Sequence, residues 1–185
     1  DSIDIINMYN IPIIKTLQVL KDNSDLMKKT VDLIKLADLD IDDYKYIKNV
    51  ASPVSNEQNI LYENALNVIA PEDILYLTSV HKGKAVQSLI FDSTGTKKIV
   101  ALASYIADAL SNGRILIIDE LDSSLHFKLT RAIVSLFNNE LNASSQLLFT
   151  AQDAMLLDCK KLFRKDQIWF AAKNERGAYI YPLSK

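Results

Sequence analysis

Apolar residues recur every three or four positions in two stretches near the start of the chain. These are PIIKTLQVLK, residues 12–21, and DLMKKTVDLIKLADL, residues 25–39. Such spacing places the apolar side chains on one face of a helix. Pro12 lies early in the first stretch and Ser24 directly precedes the second, and both residue types are favoured at helix starts. We therefore predict two amphipathic helices.

The next part of the chain has a weaker pattern. Residues 44–59 are polar and are interrupted by Pro53, and ILYENALNVI, residues 60–69, has the spacing of a short helix. Two β-type runs follow, ILYLTSVH at 74–81 and AVQSLIFD at 85–92, with Lys-Gly-Lys between them. This pair of runs predicts a β-hairpin.

In the second half of the chain, helical and strand patterns alternate. Residues 97–110 and 127–139 have helical spacing, while residues 114–118 and 146–150 are short apolar runs that are typical of buried strands. Such alternation predicts an α/β fold with a parallel sheet covered on both faces. The segments DQIWFAAK and AYIYPL, joined by NERG, predict a hairpin that closes the chain.

Composition is that of a globular protein. The 185 residues are 49% hydrophobic and 24% charged, with a net charge of -2, so DNA is not indicated as a partner by charge. Cys159 is the single cysteine and has no partner for an internal disulfide. The sequence has no apolar run long enough to span a membrane, and its start lacks a signal pattern. We expect a cytosolic protein that does not bind membranes.

Two carboxylates, Asp119 and Glu120, directly follow the apolar run RILII. The carboxyl ends of parallel strands form the rim at which ligands bind. Adjacent carboxylates repel each other unless a cation or a proton relieves them, which suits Mg²⁺ coordination by Asp119 and water activation by Glu120. This is the pattern of a Walker B motif. The alternative is that the pair only caps the following segment.

Two further segments support a nucleotide site. In FDSTGTKKIVALA, the residues Ser93, Gly95 and Thr96 precede an apolar helix. The free N–H groups and the positive dipole end of a helix start can bind an anion, although an ordinary N-cap has the same residues. Beyond Glu120, LLFTAQDAMLLD is another short strand that ends in polar residues. The order and spacing of the three segments are more specific than any one of them.

At these residues the chain resembles the head domain of ABC-type ATPases, in the branch that includes chromosome-maintenance and recombination-repair ATPases. More closely, it is similar to a bacterial group of AAA-type, ABC-like ATPases associated with abortive infection and other phage-defence systems. The resemblance covers roughly residues 30–185. The segments that carry it are STGTKK as the signature motif, RILIIDELD as Walker B with the D-loop, SSLH, QLLFTAQDAMLLD and LFRKDQIWFAAK.

The resemblance implies a P-loop NTPase fold that uses ATP and Mg²⁺ and dimerises around the nucleotide. It implies that Asp119 supports Mg²⁺ and that Glu120 polarises the attacking water. Asp122 is implied to belong to the D-loop at the dimer interface. The site residues implied to contact the γ-phosphate bound by a partner head lie in the signature segment, residues 93–98, and are Ser93, Gly95 and the adjacent Thr96.

The sequence departs from the family pattern at two places. It contains no P-loop, GxxxxGK[ST], because its Gly83-Lys84 pair is followed by alanine and lacks the earlier glycine. We therefore expect residues 71–185 to be the C-terminal part of a head whose Walker A part is missing, preceded by a mostly helical segment at 1–70. Gln152 also stands where the family has the switch histidine, and it can orient water or phosphate but cannot carry a positive charge.

Five other residues have ordinary interpretations. We expect His81, at the end of a strand next to Lys82, to be a solvated turn residue. We expect His126 to serve helix packing, because no second His or Cys lies near it to form a metal site. Trp169 and Phe170 are expected in the core rather than in a base-stacking surface. Cys159 lies beside two lysines but has no histidine partner to activate it.

Three functions remain open. The favoured one is an ATPase that dimerises around ATP and gates an effector protein, a nuclease or a toxin, in anti-phage defence. The second is a nucleotide-sensing scaffold with weak hydrolysis, which the neutral Gln152 would explain. The third is a DNA repair or maintenance ATPase.

Overall fold

The computed structural model describes residues 2–22, 24–37, 40–47, 72–142, 144–158 and 162–184. The predicted helix over 60–69, the predicted boundary between residues 70 and 71, and Cys159 lie outside these residues. The described strands and α-helices are β1 (Ile3–Asn7), α1 (Ile14–Lys21), α2 (Asp25–Leu36), β2 (Asp43–Tyr46), β3 (Leu77–His81), β4 (Lys84–Gln87), α3 (Ser88–Phe91), α4 (Thr94–Asn112), β5 (Ile115–Asp119), α5 (Phe127–Phe137), β6 (Gln146–Phe149), β7 (Trp169–Asn174) and β8 (Gly177–Pro182). Short 3-10 helices cover Glu72–Tyr76, Ala154–Asp158 and Lys165–Gln167.

A parallel sheet with the order β1-β5-β6 positions the candidate site. Its register pairs Asn7 with Asp119 and Ile118 with Phe149, so the three strands end at one edge. Leu116 and Ile118 of β5 are fully buried, in a core cluster that also contains residues of α4 and α5. The predicted α/β fold, with parallel strands, flanking helices and a closing hairpin, is confirmed.

The edge strand β1 was not predicted from the sequence. Its segment IDIIN has only five residues, too few to show a period clearly. In the sheet Ile6 is buried and Met8 beyond the strand is fully buried, whereas Ile3 and Ile5 are exposed. The predicted helices at 12–21 and 25–39 are confirmed as α1 and α2, with slightly shorter bounds.

Helix α4 is the central helix, and every residue from 100 to 109 is buried. It begins at Thr94, three residues before the predicted start at 97, because the Ser93 side chain caps it. It ends at Asn112 and is capped by Gly113, whose φ of 65° is in the left-handed region that favours glycine. A Cβ at this position would lie 2.9 Å from Ser144 Oγ.

The second sheet is antiparallel, with the order β2-β3-β4. The predicted hairpin exists but is shorter than expected: residues 74–76 belong to a 3-10 helix and residues 88–91 form α3. A second core cluster joins this sheet to α1, α2 and α4 and includes the fully buried Tyr44 and Leu77. Helix α4 therefore contributes to both core clusters.

The predicted closing hairpin is confirmed as β7 and β8, which pair from Trp169 with Pro182 to Asn174 with Gly177. Much of its apolar surface is exposed, including Trp169, Ile180 and Tyr181. Among the described residues, no helix has the length and apolar character needed to cross a membrane. The cytosolic location stays a prediction.

Candidate functional site

Asp119 lies at the carboxyl edge of the parallel sheet, where side chains from both neighbouring strands contact it. Asn7 Nδ2, at the end of β1, donates a hydrogen bond to Asp119 Oδ2 over 2.8 Å. Thr150 Oγ1, directly after β6, donates to Asp119 Oδ1 over 2.7 Å. Both donors are neutral and the site is exposed, so Asp119 is oriented without having its charge cancelled by a cation.

Glu120 follows in an uncommon backbone conformation. Its φ is 56°, in the left-handed region that residues other than glycine seldom adopt. Its backbone N–H donates to Thr150 Oγ1 over 2.8 Å, and its Oε1 accepts a hydrogen bond from Gln152 Nε2 over 3.2 Å. Strained conformations of this kind persist where surrounding contacts fix them, and they are concentrated at functional sites.

Gln152 is thereby brought next to Glu120. The predicted D-loop residue, Asp122, has a different set of partners. Its Oδ2 accepts backbone N–H bonds from Gln152 over 2.9 Å and from Asp153 over 2.8 Å. Asp122 therefore fixes the segment after β6 against the turn after β5 and holds Gln152 in place.

The signature segment forms the first turn of α4. Ser93 Oγ accepts the Thr96 backbone N–H over 3.1 Å and lies 2.9 Å from Thr96 Oγ1. A Cβ on Gly95 would make only an ordinary contact, 3.7 Å from Ser93 Oγ. Packing within the described part of the chain therefore does not require glycine at position 95.

Lys98 links the signature segment to the site at the sheet edge. Its Nζ donates to Ser124 Oγ over 3.1 Å and lies 5.5 Å from the centroid of the Tyr9 ring. The turn after β5 runs from Glu120 to Ser124, and both residues have a positive φ. The structure thus connects the start of α4 to the turn that carries Glu120.

Tyr9 completes this group from the β1 side. Its backbone N–H donates to Asn7 Oδ1 over 2.8 Å, and its side chain is largely exposed. Hydrogen bonding to the Glu120 carboxylate raises the pKa of the Tyr9 hydroxyl above its ordinary value, opposed by a smaller effect of Ser123.

Sequence reasoning did not identify Asn7, Tyr9, Lys98 and Thr150 as site residues. Asn7 ends and Tyr9 follows a strand that was not predicted, so the sequence did not indicate that these two residues lie at the sheet edge. Thr150 was predicted as the last residue of a strand, which lies next to the rim, and this was the one signal that could have found it.

The site can provide part of a magnesium shell. Among the residues that the structure describes, no group of three or more His, Cys, Asp or Glu side chains could hold a metal ion. Mg²⁺ in nucleotide sites usually takes one or two carboxylates and completes its shell with phosphates and water. One exposed and oriented carboxylate, Asp119, fits that requirement.

Three predictions about other residues were wrong. His81 is bonded rather than simply solvated: its Nδ1 lies 2.9 Å from the Asp40 carbonyl oxygen and its Nε2 lies 3.1 Å from Asp92 Oδ1. His126 is the exposed N-cap of α5, where its Nδ1 accepts the Lys128 N–H, instead of a packing residue. Trp169 is 57% exposed instead of lying in the core, because the groove beside it is open.

That groove has a volume of about 630 Å³ and runs between β6 and β7. Its lining includes Leu148 and Phe149 of β6, Gln152, and Trp169 and Phe170 of β7. Leu148 is 62% exposed. Within the described part of the chain, β6 pairs with β5 alone and its outer edge faces this groove.

The sequence model of one protein family matches residues 2–158. Its description is "AAA domain, putative AbiEii toxin, Type IV TA system". The matched range includes the whole parallel sheet, α4 and every candidate site residue described above. Among curated proteins, none matches the chain.

Proposed function

Since the chain belongs to the AAA domain family that residues 2–158 match, we propose that it is the part of an ATP-hydrolysing head that activates water and contacts the nucleotide of a second head. AAA domains of P-loop type use ATP and Mg²⁺. The observation that carries the proposal is the end of β5, where Asp119 is oriented by Asn7 and Thr150 while Glu120 is oriented by Gln152.

The two carboxylates have different proposed roles. Asp119, with both oxygens oriented by neutral donors, would hold Mg²⁺, which when bound neutralises charge on the phosphates. Glu120 accepts one hydrogen bond from the Gln152 amide and retains a lone pair for the proton of an attacking water. Gln152 provides a second polar group for the same water, without the positive charge of a histidine.

The signature segment is proposed to act in trans. Ser93 and Thr96 lie at the start of the 19-residue helix α4, where Ser93 Oγ accepts the Thr96 N–H. The N–H groups that precede Thr96 and the positive dipole end of the helix are then what this surface offers to an anion. Gly95 leaves the backbone accessible. In a homodimer, this surface would contact the γ-phosphate of the ATP held by the partner, and Asp122 would lie at the interface.

A separate segment of the same protein, carrying a P-loop, is the proposed partner for the groove between β6 and β7. The unpaired edge of β6 offers hydrogen bonds to a further parallel strand, and Leu148 and Trp169 offer apolar surface to cover. A strand in this position would end at the same edge as Asp119. Its following loop would then supply the phosphate contacts that this sequence lacks.

At the level of the whole protein, we propose that ATP-dependent dimerisation gates an effector, a nuclease or a toxin, in defence against phage. The resemblance to defence ATPases and the family description support this proposal. The alternative is a nucleotide-sensing scaffold with little hydrolysis, which the neutral amide of Gln152 favours. A DNA-maintenance role has less support, because the net charge is only -2.

The direct test is the Glu120→Gln variant of the protein that includes the P-loop segment. The amide preserves shape and removes the proton acceptor, so ATP binding should persist while hydrolysis falls by at least about 100-fold. Glu140→Gln, at an exposed position before β6, is the matched control and should hydrolyse ATP at the normal rate. Unchanged turnover in Glu120→Gln would remove Glu120 from its role as base.

A further inference from the structure

Two residues with extended backbone, Asp92 and Ser93, form the corner between α3 and α4. Helix α3 ends at Phe91 and α4 begins at Thr94, and the ψ angles between them are 149° at Asp92 and 159° at Ser93. Successive side chains point to opposite sides of an extended backbone. The Asp92 side chain is 2% exposed, whereas Ser93 is exposed. The residue before the signature segment is therefore directed into the fold, and the first residue of that segment faces outward.

The buried carboxylate of Asp92 accepts hydrogen bonds on both of its oxygens. Ser79 Oγ, on β3, donates to Oδ1 over 2.8 Å, and Ser88 Oγ, at the start of α3, donates to Oδ2 over 2.6 Å. His81 Nε2 lies 3.1 Å from Oδ1. The Tyr44 hydroxyl of β2 donates to Ser88 Oγ over 2.8 Å. The antiparallel sheet thus holds Asp92 directly from β3 and, through Ser88, from β2.

Backbone hydrogen bonds connect this carboxylate to the cap of α4. The Asp92 N–H donates to the Ser88 carbonyl oxygen over 3.0 Å. On the other side of the corner, Ser93 accepts the Lys97 N–H on its carbonyl oxygen over 3.0 Å and the Thr96 N–H on its Oγ over 3.1 Å. The residue held by the antiparallel sheet and the residue that caps α4 are consecutive, so a displacement of one moves the other.

We infer that Asp92 is a positioning residue for the signature segment: its buried carboxylate, held by Ser79 and Ser88, fixes where Ser93 meets the nucleotide of a partner subunit. This inference rests on the proposed function, which assigns the signature segment to a phosphate bound in trans. Asp92 itself does not touch the nucleotide, because its side chain points into the fold. A carboxylate is costly to bury away from its donors, so the carboxylate stays where the two hydroxyls are.

ATP-dependent dimerisation of the protein that includes the P-loop segment tests the inference. Asp92→Ala removes the buried carboxylate and should weaken this dimerisation about 10-fold, while the ATP affinity of a single head changes less than about 2-fold. A double serine variant, Ser79→Ala with Ser88→Ala, keeps the carboxylate and removes its hydroxyl donors, and it should act in the same direction. Asp92→Asn retains the shape and one acceptor oxygen, so it should lie between Asp92→Ala and the wild type.

The control is Asp108→Ala, which truncates another buried carboxylate near the opposite end of α4. It should lower the stability of the fold and leave dimerisation at the wild-type value, with every variant compared at a temperature at which it is folded. Wild-type dimerisation of Asp92→Ala or of the double serine variant would overturn the inference. An equal weakening in Asp108→Ala would overturn it as well, because loss of stability would then explain the effect.

Hydrogen exchange gives a second readout that needs no ATP. The Thr96 and Lys97 amides, which are bonded to Ser93, should exchange at least about 5-fold faster in Asp92→Ala and in the double serine variant than in the wild type or in Asp108→Ala. Unchanged exchange at these amides overturns the inference. A wild-type protein that does not dimerise with ATP refutes the proposed function, and the exchange rates then still decide whether Asp92 fixes the start of α4.

Discussion

A single hydroxyl, that of Thr150, contacts the Asp119 carboxylate and the Glu120 backbone. It donates to Asp119 Oδ1 and accepts from the Glu120 backbone N–H. The two bonds help to hold Glu120 in its left-handed conformation. Because the group is exposed, the contribution of these bonds to the stability of the fold is small, whereas their contribution to the geometry of the site is large.

We therefore predict that Thr150→Val, which keeps the shape and removes the hydroxyl, lowers kcat at least about 10-fold. The free energy of unfolding should fall by only about 1 kcal/mol. Steady-state ATPase assays and urea titration give the two quantities. Thr150→Ser keeps the hydroxyl and serves as the control. A large loss of stability with normal kcat would mean that Thr150 supports the fold rather than the site.

Among elements, the contact between α4 and the strand β1 depends on an ionic network. Asp108 Oδ2 lies 2.5 Å from Lys15 Nζ and 3.3 Å from Arg114 Nε, and its Oδ1 accepts from Asn112 over 2.5 Å. The same two cations also contact Asp4 of β1. Burial acts to raise the pKa of Asp108, but hydrogen bonds from Lys15 and Asn112 outweigh it and place this pKa below its ordinary value.

This direction of shift predicts how stability depends on pH. A folded-state pKa below the unfolded value means that the ionised carboxylate stabilises the fold fully above the unfolded pKa, about 4, and progressively less as pH falls through the folded value. Relative to Asp108→Asn, the wild type should be more stable by about 2 kcal/mol at pH 7. Urea titrations at several pH values should show this difference shrinking below about pH 5.

The control for that series is Asp32→Asn, at an exposed position of α2. Its unfolding free energy should follow that of the wild type at every pH. A difference between wild type and Asp108→Asn that stays constant from pH 7 to pH 3 would show that Asp108 contributes through packing and not through its charge.

The signature segment gives the element-scale prediction for function. Ser93→Arg should leave the fold and the ATP contact of a single head nearly intact, but abolish ATP-dependent dimerisation by filling the place of the phosphate. Mixed with a P-loop variant, it should recover part of the activity that each lacks, because one composite site then combines both intact halves. Dimerisation is measured by light scattering with ATP.

Two outcomes of this experiment need separate readings. An intact Ser93→Arg homodimer with ATP would refute an action in trans. A second outcome is that mixed dimers form but remain inactive, while the Ser93→Arg homodimer does not form. This outcome would mean that ATP hydrolysis at one site requires the other site to be intact.

The helices and strands were predictable to different degrees, and the differences have physical causes. Helix α4 and strand β5 carry long or unbroken apolar patterns, so their existence followed from the sequence. The start of α4 was misplaced because a Ser-Thr-Gly-Thr run has low helix propensity, and only the capping bond from Ser93 shows that the helix begins there. Strand β1 was missed because its apolar pattern is too short to indicate a strand, and only its pairing with β5 identifies it as one.

At the scale of the whole molecule, the main prediction concerns nucleotide affinity. The 185-residue chain offers Asp119, Glu120 and the signature segment, but its sequence has no P-loop to hold the β- and γ-phosphates. It should bind Mg-ATP at least about 100-fold more weakly than the protein that includes such a loop. Calorimetric titration measures both. Micromolar affinity of this chain alone would show that the phosphates lie elsewhere.

The candidate site shows which residues can be predicted from the sequence to lie close together and which cannot. Asp119 and Glu120 were predicted because they follow an apolar run, and Gln152 because the family resemblance places the switch residue there. Parallel pairing of the two apolar runs brings the three residues together. Asn7 ends a strand that was missed, Tyr9 follows that strand and Lys98 lies on α4, so their proximity depends on how α4 packs across the sheet. Contacts of that kind are set by tertiary packing and leave no local pattern.

The left-handed backbone of Glu120 has a consequence for protein engineering. Glycine adopts a φ of 56° without steric strain, so Glu120→Gly relieves a conformation that costs the native chain about 1 kcal/mol or more. A library screened for heat resistance alone would therefore enrich variants that have lost this side chain. With Glu120 in its proposed role as base, such thermostabilised forms would be stable but inactive, a trade-off that natural enzymes show where stability and activity compete.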